Sequence, residues 1–314
     1  MKLDAVPLPE GAEERAWQVV HSAFEERAPS PRERKVWRPV VVLAAAAIVA
    51  GAVASPPGQA VLDSIREAVG IERAQPALFS LPASGRLLVE SSDGVWVVQA
   101  DGSKRQLGDW REASWSPFGR FVVVARANEL AAVEPNGDVR WSLARPNVRF
   151  PRWAGNRVDT RIAYLSGSSL RVVAGDGTGD RLLRRNVASV APAWVPGEGF
   201  RLAYTDRAGR TVVVDADTGR VLPDASAPAR TATIRRRGAA SEVVAGGRVV
   251  FRGTGAFRDV ARSPDGSWLL VTWPTADQWV FVRIEGGRRI EAVSGITRQF
   301  GGGMFPRIVG WCCA

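Results

Sequence analysis

The stretch from Trp115 to Ala125, WSPFGRFVVVA, combines an aromatic residue, a tight turn and a run of apolar residues. Pro117 fixes φ at the start of the turn and Gly119 tolerates a positive φ, so the chain can reverse here. The apolar residues that follow suit a strand that is buried on both faces. This short pattern predicts a turn followed by a buried strand.

The same pattern returns later in the chain. Residues 262–271, RSPDGSWLLV, repeat both the Ser-Pro-x-Gly turn and the apolar run. Weaker copies begin at Trp153 and Trp194, which follow Trp115 at intervals of 38 and 41 residues. A period of about 40 residues with four short strands per repeat is typical of a β-propeller. The sequence therefore predicts an all-β propeller domain over residues 84–314.

Six blades are predicted, with five or seven left open. Less than two full repeats separate Trp194 from the turn at Ser263, so the blade at residues 231–251 is expected to be contracted. The first repeat lacks an opening aromatic strand, whereas residues 305–311 form a spare strand at the C-terminus. We therefore expect the C-terminal strand to complete the first blade and close the ring.

An apolar segment precedes the repeats. Val40 to Ala54 contains no polar side chain, and the nineteen residues from Val36 to Ala54 would extend about 28 Å as a helix. This length is close to that of a bilayer core of about 30 Å. Basic residues lie before or at its start: Arg32, Arg34, Lys35 and Arg38. The sequence predicts a transmembrane signal anchor at residues 37–55, with residues 1–36 in the cytoplasm and the propeller outside it.

Two alternatives to the anchor are a buried soluble helix and a cleaved signal peptide. A buried helix with no polar face is unusual in an otherwise β-rich chain. Ala52 to Ser55 resembles a small-residue cleavage site, although the preceding segment is long for a signal.

Two short helices are predicted to flank the span. Residues 10–28 have apolar side chains at helical spacing and are interpreted as a juxtamembrane segment or as a docking helix for a cytosolic partner. Residues 60–71 form a shorter amphipathic pattern within a linker at residues 56–83, in which Glu72 to Pro82 has no predicted structure.

Composition limits the chemistry of the domain. His21 is the only histidine, so the propeller has no histidine base, Ser-His-Asp triad or histidine metal cluster. The net charge is +10, and it falls entirely after residue 39, because the first 39 residues contain equal numbers of basic and acidic side chains. Such a charge favours an acidic partner. A composition biased toward arginine is the simpler explanation, since only three residues are lysine.

Four further motifs have some features of functional sites. Gly175 to Asp180 resembles a phosphate cradle but lacks the Lys-Ser/Thr that would follow, so a hairpin turn is predicted. Asp215 to Gly219 resembles the start of a calcium loop without its later ligands, and a turn is predicted again. Arg235 to Arg237 is interpreted as a solvated loop. Cys312 and Cys313 are adjacent, which leaves a vicinal disulfide, a bond between chains or two free thiols open.

The repeats at Trp115–Ala125 and Arg262–Val271 resemble those of TolB-like and WD-repeat-like propellers. The resemblance covers residues 84–314 and implies a scaffold that binds protein partners, with no binding residues carried over. We expect a membrane-anchored, extracytoplasmic module that binds a protein or envelope ligand, without catalysis, cofactor, metal or nucleic acid. Two alternatives remain: a transmembrane regulator whose N-terminal helix binds a cytosolic partner, and a carboxylate- or metal-dependent propeller hydrolase.

Overall fold

The Ser-Pro-x-Gly stretch forms the predicted loop. Strand β5 (Glu112–Trp115) leads into it and strand β6 (Val122–Arg126) leaves it. Ser116 stabilises the turn twice: its carbonyl oxygen accepts the Gly119 amide at 2.9 Å, and its Oγ accepts the Phe121 amide at 2.9 Å. Residues 122–124 are completely buried, as the apolar run predicted. The serine of the motif therefore caps the turn while the valines enter the core.

Gly119 is required at its position for two reasons. Its φ is +63°, which disfavours any residue with a Cβ. The Cys313 sulfur and the Arg86 guanidinium also approach so closely that a Cβ would collide with them. The Arg86 Nη2 donates a hydrogen bond of 2.8 Å to the Gly119 carbonyl oxygen. The turn thus contacts both the first strand of the repeat region and the end of the chain.

The second copy of the motif has the same geometry. Gly266 donates its amide to the Ser263 carbonyl at 2.9 Å, and Trp268 donates its amide to the Ser263 Oγ at 2.9 Å. The strand that follows, β20 (Trp268–Trp273), is buried along its whole length. The two stretches singled out in the sequence are therefore equivalent turns in two blades.

This computed structural model describes residues 73–75, 80–223, 232–287 and 289–313. The predicted N-terminal segment, helix 10–28, span 37–55 and helix 60–71 lie outside these residues. Within them, the model contains no helix with the length and apolarity needed to cross a membrane.

Six sheets follow one another along the described chain, and we number them as blades. All their strand pairs are antiparallel except one at the edge of blade 6. Blades 1, 2 and 3 have four strands each. Blade 1 contains β2 (Arg86–Ser91), β3 (Gly94–Val98), β4 (Lys104–Gly108) and β23 (Arg307–Cys312). Blade 2 contains β5, β6, β7 (Glu129–Val133) and β8 (Val139–Ala144). Blade 3 contains β9 (Val148–Gly155), β10 (Thr160–Ser166), β11 (Ser169–Ala174) and β12 (Arg181–Arg184).

Blades 4 and 5 have three strands each in the described residues, whereas the repeat pattern has four. Blade 4 contains β13 (Ala193–Val195), β14 (Arg201–Thr205) and β15 (Thr211–Asp215). Blade 5, predicted as contracted, contains β16 (Ala232–Arg237), β17 (Ala240–Ala245) and β18 (Arg248–Thr254). In blade 4 a single bridge, Val214 to Val221, stands where a fourth strand would pair.

Blade 6 has five strands. It contains β19 (Val260–Arg262), β20, β21 (Gln278–Arg283) and β22 (Ile290–Ser294), with β1 (Arg73–Gln75) added at its edge. Strand β1 pairs in parallel with β22, so part of the segment predicted as a linker belongs to the sheet. A 3₁₀ turn (Pro274–Ala276) and a one-turn helix, α1 (Ile296–Gln299), complete the described structure.

The two ends of the repeat region meet in blade 1. Strand β23 pairs antiparallel with β2, with Leu87 opposite Trp311 and Glu90 opposite Arg307. The prediction that the C-terminal strand completes the first blade is confirmed. Apolar clusters fill the spaces between blades 1 and 2, 2 and 3, 3 and 4, 5 and 6, and 6 and 1. Consecutive sheets packed in this way and joined end to start define a β-propeller.

Candidate functional site

A cleft of about 760 Å³ lies between blades 2 and 3, where β5 and β9 end. Its size is within the range of ligand-binding pockets in proteins. Four loops or strands form its walls: the Ser-Pro-x-Gly turn, the start of β8, the loop after β9 and the loop after β11. We call this feature the interblade cleft, and its lining residues used below are Phe118, Arg120, Phe121, Arg140, Trp141, Trp153, Asn156, Arg157 and Asp176.

Aromatic rings line the interior of the cleft. Phe121 and Trp153 stack with ring centroids 6.3 Å apart and planes inclined by 12°. Trp141 is fixed by a hydrogen bond of 3.0 Å from its Nε1 to the Gly175 carbonyl oxygen. The Nε1 of Trp153 is buried and has no hydrogen-bond partner among the described residues. A buried donor without a partner is uncommon in native structures.

Guanidinium groups surround these rings. Arg120 lies 5.2 Å from the ring centroid of Phe121, and Arg157 lies 5.7 Å from that of Phe118. Neither arginine has an ion pair with a carboxylate in the described parts of the chain. Arg140 is paired with Glu134, which satisfies its charge. The cleft therefore presents two exposed and uncompensated cations beside aromatic surface.

The loops that carry these side chains are fixed by local hydrogen bonds. In the loop after β9, the Asn156 Oδ1 accepts the amides of Val158 and Asp159 at 2.9 and 3.0 Å. In the loop after β11, the Asp176 Oδ1 accepts the Thr178 amide and Oγ1 at 3.0 and 2.7 Å. Hydrogen bonds from Thr178 lower the pKa of Asp176, so this carboxylate stays charged and is already partnered.

The glycine-rich motif from Gly175 to Asp180 is the turn between β11 and β12, as predicted. Asp180, at its end, holds blade 2 to blade 3. Its carboxylate accepts hydrogen bonds from Tyr164 Oη at 2.6 Å, Arg171 Nη2 at 2.5 Å and Arg145 Nη2 at 2.6 Å. Burial acts to raise the pKa of Asp180, but these three donors outweigh it and lower the pKa. The Tyr164 pKa is raised by burial and by this contact.

A second set of charged residues lies at the opposite end of the blades, where the innermost strands begin. We call Glu90, Glu112, Arg152, Asp259 and Arg307 the mouth cluster. Three of its carboxylates repeat one contact, in which each accepts a backbone amide from the innermost strand of the next blade. Asp259 accepts Ile308 at 3.3 Å, Glu90 accepts Ala113 at 2.8 Å, and Glu112 accepts Phe150.

The environment of Glu90 disfavours the charged form of its carboxyl group. Burial raises its pKa to about 7, although the Ala113 amide and the Arg307 and Arg152 guanidiniums act to lower it. Arg307 lies 3.6 Å from the Glu90 carboxylate and 3.9 Å from that of Asp259. The pKa of Arg152 is lowered, again by burial. Because their oxygens hold neighbouring blades together, these carboxylates act first as structural links.

The structure also places the remaining motifs that the sequence suggested as sites. Asp215 to Gly219 forms the predicted turn, in which Asp215 Oδ1 accepts the Thr218 amide at 2.7 Å. Arg235 to Arg237 is exposed but lies in β16, so its assignment to a loop was wrong; Arg237 contacts Glu242 at 3.4 Å. Cys312 and Cys313 are joined in a disulfide. Within the described ranges, no group of three or more His, Cys, Asp or Glu side chains is arranged to hold a metal ion.

Sequence reasoning identified neither the cleft nor the mouth cluster as sites. The cleft draws its residues from four separate segments. Two of them, the turn at 117–121 and the glycine-rich turn, were predicted as turns and not as parts of a site. The mouth cluster depends on register between strands that lie far apart in sequence. One signal in the sequence could have indicated the cleft: the aromatic residues from Trp115 to Phe121 include an arginine among them.

Similarity to known proteins is found among solved structures. No protein-family model and no curated protein matches this chain. Among solved structures, it is similar to a nidogen/laminin complex, with 12% identity over 73% of this chain and 97% of the other, at a TM-score of 0.44. It is also similar to the Swd1 β-propeller domain of Myceliophteria thermophila, with 14% identity over 69% and 88% at 0.37, and to BBS1N in complex with ARL6DN, with 12% over 72% and 83% at 0.41. The sheets and their closure by β23 place the chain among β-propellers.

Proposed function

We propose that this chain is a membrane-anchored, extracytoplasmic β-propeller that binds a protein partner through the interblade cleft and does not catalyse a reaction. The observation that carries the proposal is the exposed pair Arg120 and Arg157 beside the aromatic rings of the cleft. Aromatic residues and arginine are enriched where proteins bind proteins. Loops held by a rigid blade scaffold suit such a contact.

The anchor belongs to the same proposal and rests on the sequence of residues 37–55. An uncleaved span would hold the propeller at the outer surface of the membrane with residues 1–36 in the cytoplasm. Binding without turnover rests on the chemistry of the described carboxylates. Those of the mouth cluster accept backbone amides from neighbouring blades. A carboxylate used in this way is poorly placed to act as a nucleophile or a general base.

A transmembrane regulator is the second candidate, because residues 10–28 have the pattern of an amphipathic helix on the cytoplasmic side of the predicted span. In that case the propeller binds its ligand outside and the helix binds a regulator inside. Capture with residues 1–36 as bait distinguishes it from a simple binding module. A specific cytosolic partner supports the regulator, and the absence of one supports the simple module.

The proposed binding is tested with the full-length protein in membranes of its host. A photo-crosslinking amino acid is placed at position 118 in the cleft or at position 185, an exposed arginine after β12 at the other end of the blades. We expect a discrete protein adduct from position 118 and none from position 185. Equal labelling at both positions, or none at either, contradicts binding at the cleft.

Catalysis is tested separately. The full chain is assayed with glycosidase, lactonase and peptidase substrates beside its Glu112→Gln variant. We expect no turnover from either protein. Turnover that is lost in the variant would show that the mouth cluster is an active site and would overturn the proposal.

A further inference from the structure

The charge around the interblade cleft indicates the chemistry of its occupant. Arg120 and Arg157 are exposed, and the described chain supplies neither with a carboxylate. The lining includes one carboxylate, that of Asp176, which is held by Thr178. Guanidinium groups bind carboxylates through charge-assisted hydrogen bonds, often in pairs. The rim therefore favours an anionic group.

The interior of the cleft favours an apolar group. Phe118 is 52% exposed at the edge of the cleft and adds apolar surface there. Inside, Trp141, Trp153 and the stacked Phe121 offer ring faces and edges. Aromatic pairs prefer edge-to-face or offset contacts with centroids about 4.5–7 Å apart. A volume of about 760 Å³ accommodates an aromatic side chain together with the peptide backbone that carries it.

We propose that the interblade cleft binds a short acidic peptide segment of a partner protein, with one aromatic side chain inside the cleft and flanking carboxylates on Arg120 and Arg157. This inference rests on the proposed binding function and specifies its partner. The occupant is thus defined by both charge and an aromatic residue.

The probe is a phage-displayed library of random short peptides, selected on the full-length protein in detergent. Parallel selections use Arg120→Glu/Arg157→Glu, which reverses both cations, and Arg185→Glu as the matched control. We expect wild type and the control to enrich peptides that combine Asp or Glu with Phe, Tyr or Trp. We expect the double variant to lose this enrichment, because like charges would then face each other.

Affinity is then measured on one selected peptide by fluorescence polarisation. The double variant should weaken binding at least about tenfold, equivalent to about 1.4 kcal/mol. Replacement of the peptide's aromatic residue by alanine should have a similar effect. Binding should also weaken as salt rises from about 50 to 500 mM, because exposed charges are screened over about 10 Å at 0.1 M.

Several outcomes would overturn this inference. Enrichment of neutral aromatic peptides, equal binding by the double variant, or displacement of the peptide by an anionic polysaccharide that itself binds more tightly would contradict an acidic peptide as the occupant. If no peptide is enriched while crosslinking at position 118 persists, the peptide class is wrong and the binding function stands. If both fail, the proposed function fails as well.

Discussion

Trp311 donates a hydrogen bond of 3.2 Å from its Nε1 to the carbonyl oxygen of Ser84, a residue 227 positions earlier in the chain. Its ring also packs edge-on against Phe281, with centroids 5.7 Å apart. Trp311 thus contacts blade 6 while its own strand pairs with β2 in blade 1. This tryptophan joins the last blade to the first and makes closure of the ring dependent on the C-terminal strand.

Trp311→Ala should destabilise the propeller substantially. The side chain is 7% exposed, and truncation of a buried aromatic residue costs about 3–5 kcal/mol. Thermal and urea unfolding of the full-length protein measure the change. Phe118→Ala is the matched control, because that ring is half exposed and its removal should cost less than about 1 kcal/mol.

Removal of residues 305–314 should destabilise the propeller more than Trp311→Ala and cause early melting or aggregation. An unchanged melting temperature would show that closure does not depend on this strand.

Asp180→Asn should loosen the contact between blades 2 and 3. The carboxylate is 5% exposed, and its loss leaves Arg145 and Arg171 without their anion. Removing one partner of a buried ion pair costs about 3–5 kcal/mol, and the partial exposure of both arginines reduces the expected loss to about 2–3 kcal/mol. Urea unfolding measures the change, with the exposed Asp176→Asn as control. Equal stability of the two variants would contradict the structural role of Asp180.

The lowered pKa of Asp180 also gives its contribution a pH dependence. The stabilisation is fully present above the unfolded pKa of about 3.9 and is lost as pH falls through the lower folded value. The difference in unfolding free energy between wild type and Asp180→Asn should therefore shrink in acid. A difference that stays constant down to pH 2 would contradict this linkage.

The contribution of Glu90 to stability should depend on pH in the opposite direction to that of Asp180. Its folded pKa is raised from 4.5 to about 7, so the folded state retains a proton that the unfolded state releases. Stability from this group is highest below 4.5 and falls as pH rises to 7, by at most about 3 kcal/mol. Glu90→Gln keeps an oxygen for the Ala113 amide, so relative to wild type it should gain stability over this range. Unfolding at several pH values measures the gain.

A suitable control for Glu90 is Glu285→Gln, because the Glu285 side chain is 60% exposed. Its difference from wild type should change little over the same pH range. If Glu90→Gln shows no more pH dependence than this control, the buried carboxyl does not hold a proton in the folded state.

The predicted topology places the propeller outside the cytoplasm. The basic residues before the apolar run at 37–55 favour an N-terminus that stays inside. A reporter fused at the C-terminus should be active only if its activity requires export. Protease added to intact spheroplasts should digest the propeller and spare residues 1–36. Full protection of the propeller would contradict the anchor.

The sequence alone determined the repeating turns and the strands that follow them. The Ser-Pro-x-Gly turns and the apolar runs after them act locally, because each turn is capped by its own serine and each strand is buried by its own composition. For the same reason the turns at Gly175–Asp180 and Asp215–Gly219 could be predicted. Closure by residues 305–311 could also be predicted, since the first repeat lacked a strand that the C-terminus could supply.

Only the tertiary structure decided where side chains from different blades meet. The interblade cleft joins Phe118 and Arg120 of blade 2 to Trp153 and Arg157 of blade 3, and packing of the two sheets sets their spacing. The link from Glu112 to the Phe150 amide depends likewise on strand register and on the angle between blades. Local propensity determines turns and strands, whereas contacts between blades arise from long-range packing that a single sequence does not display.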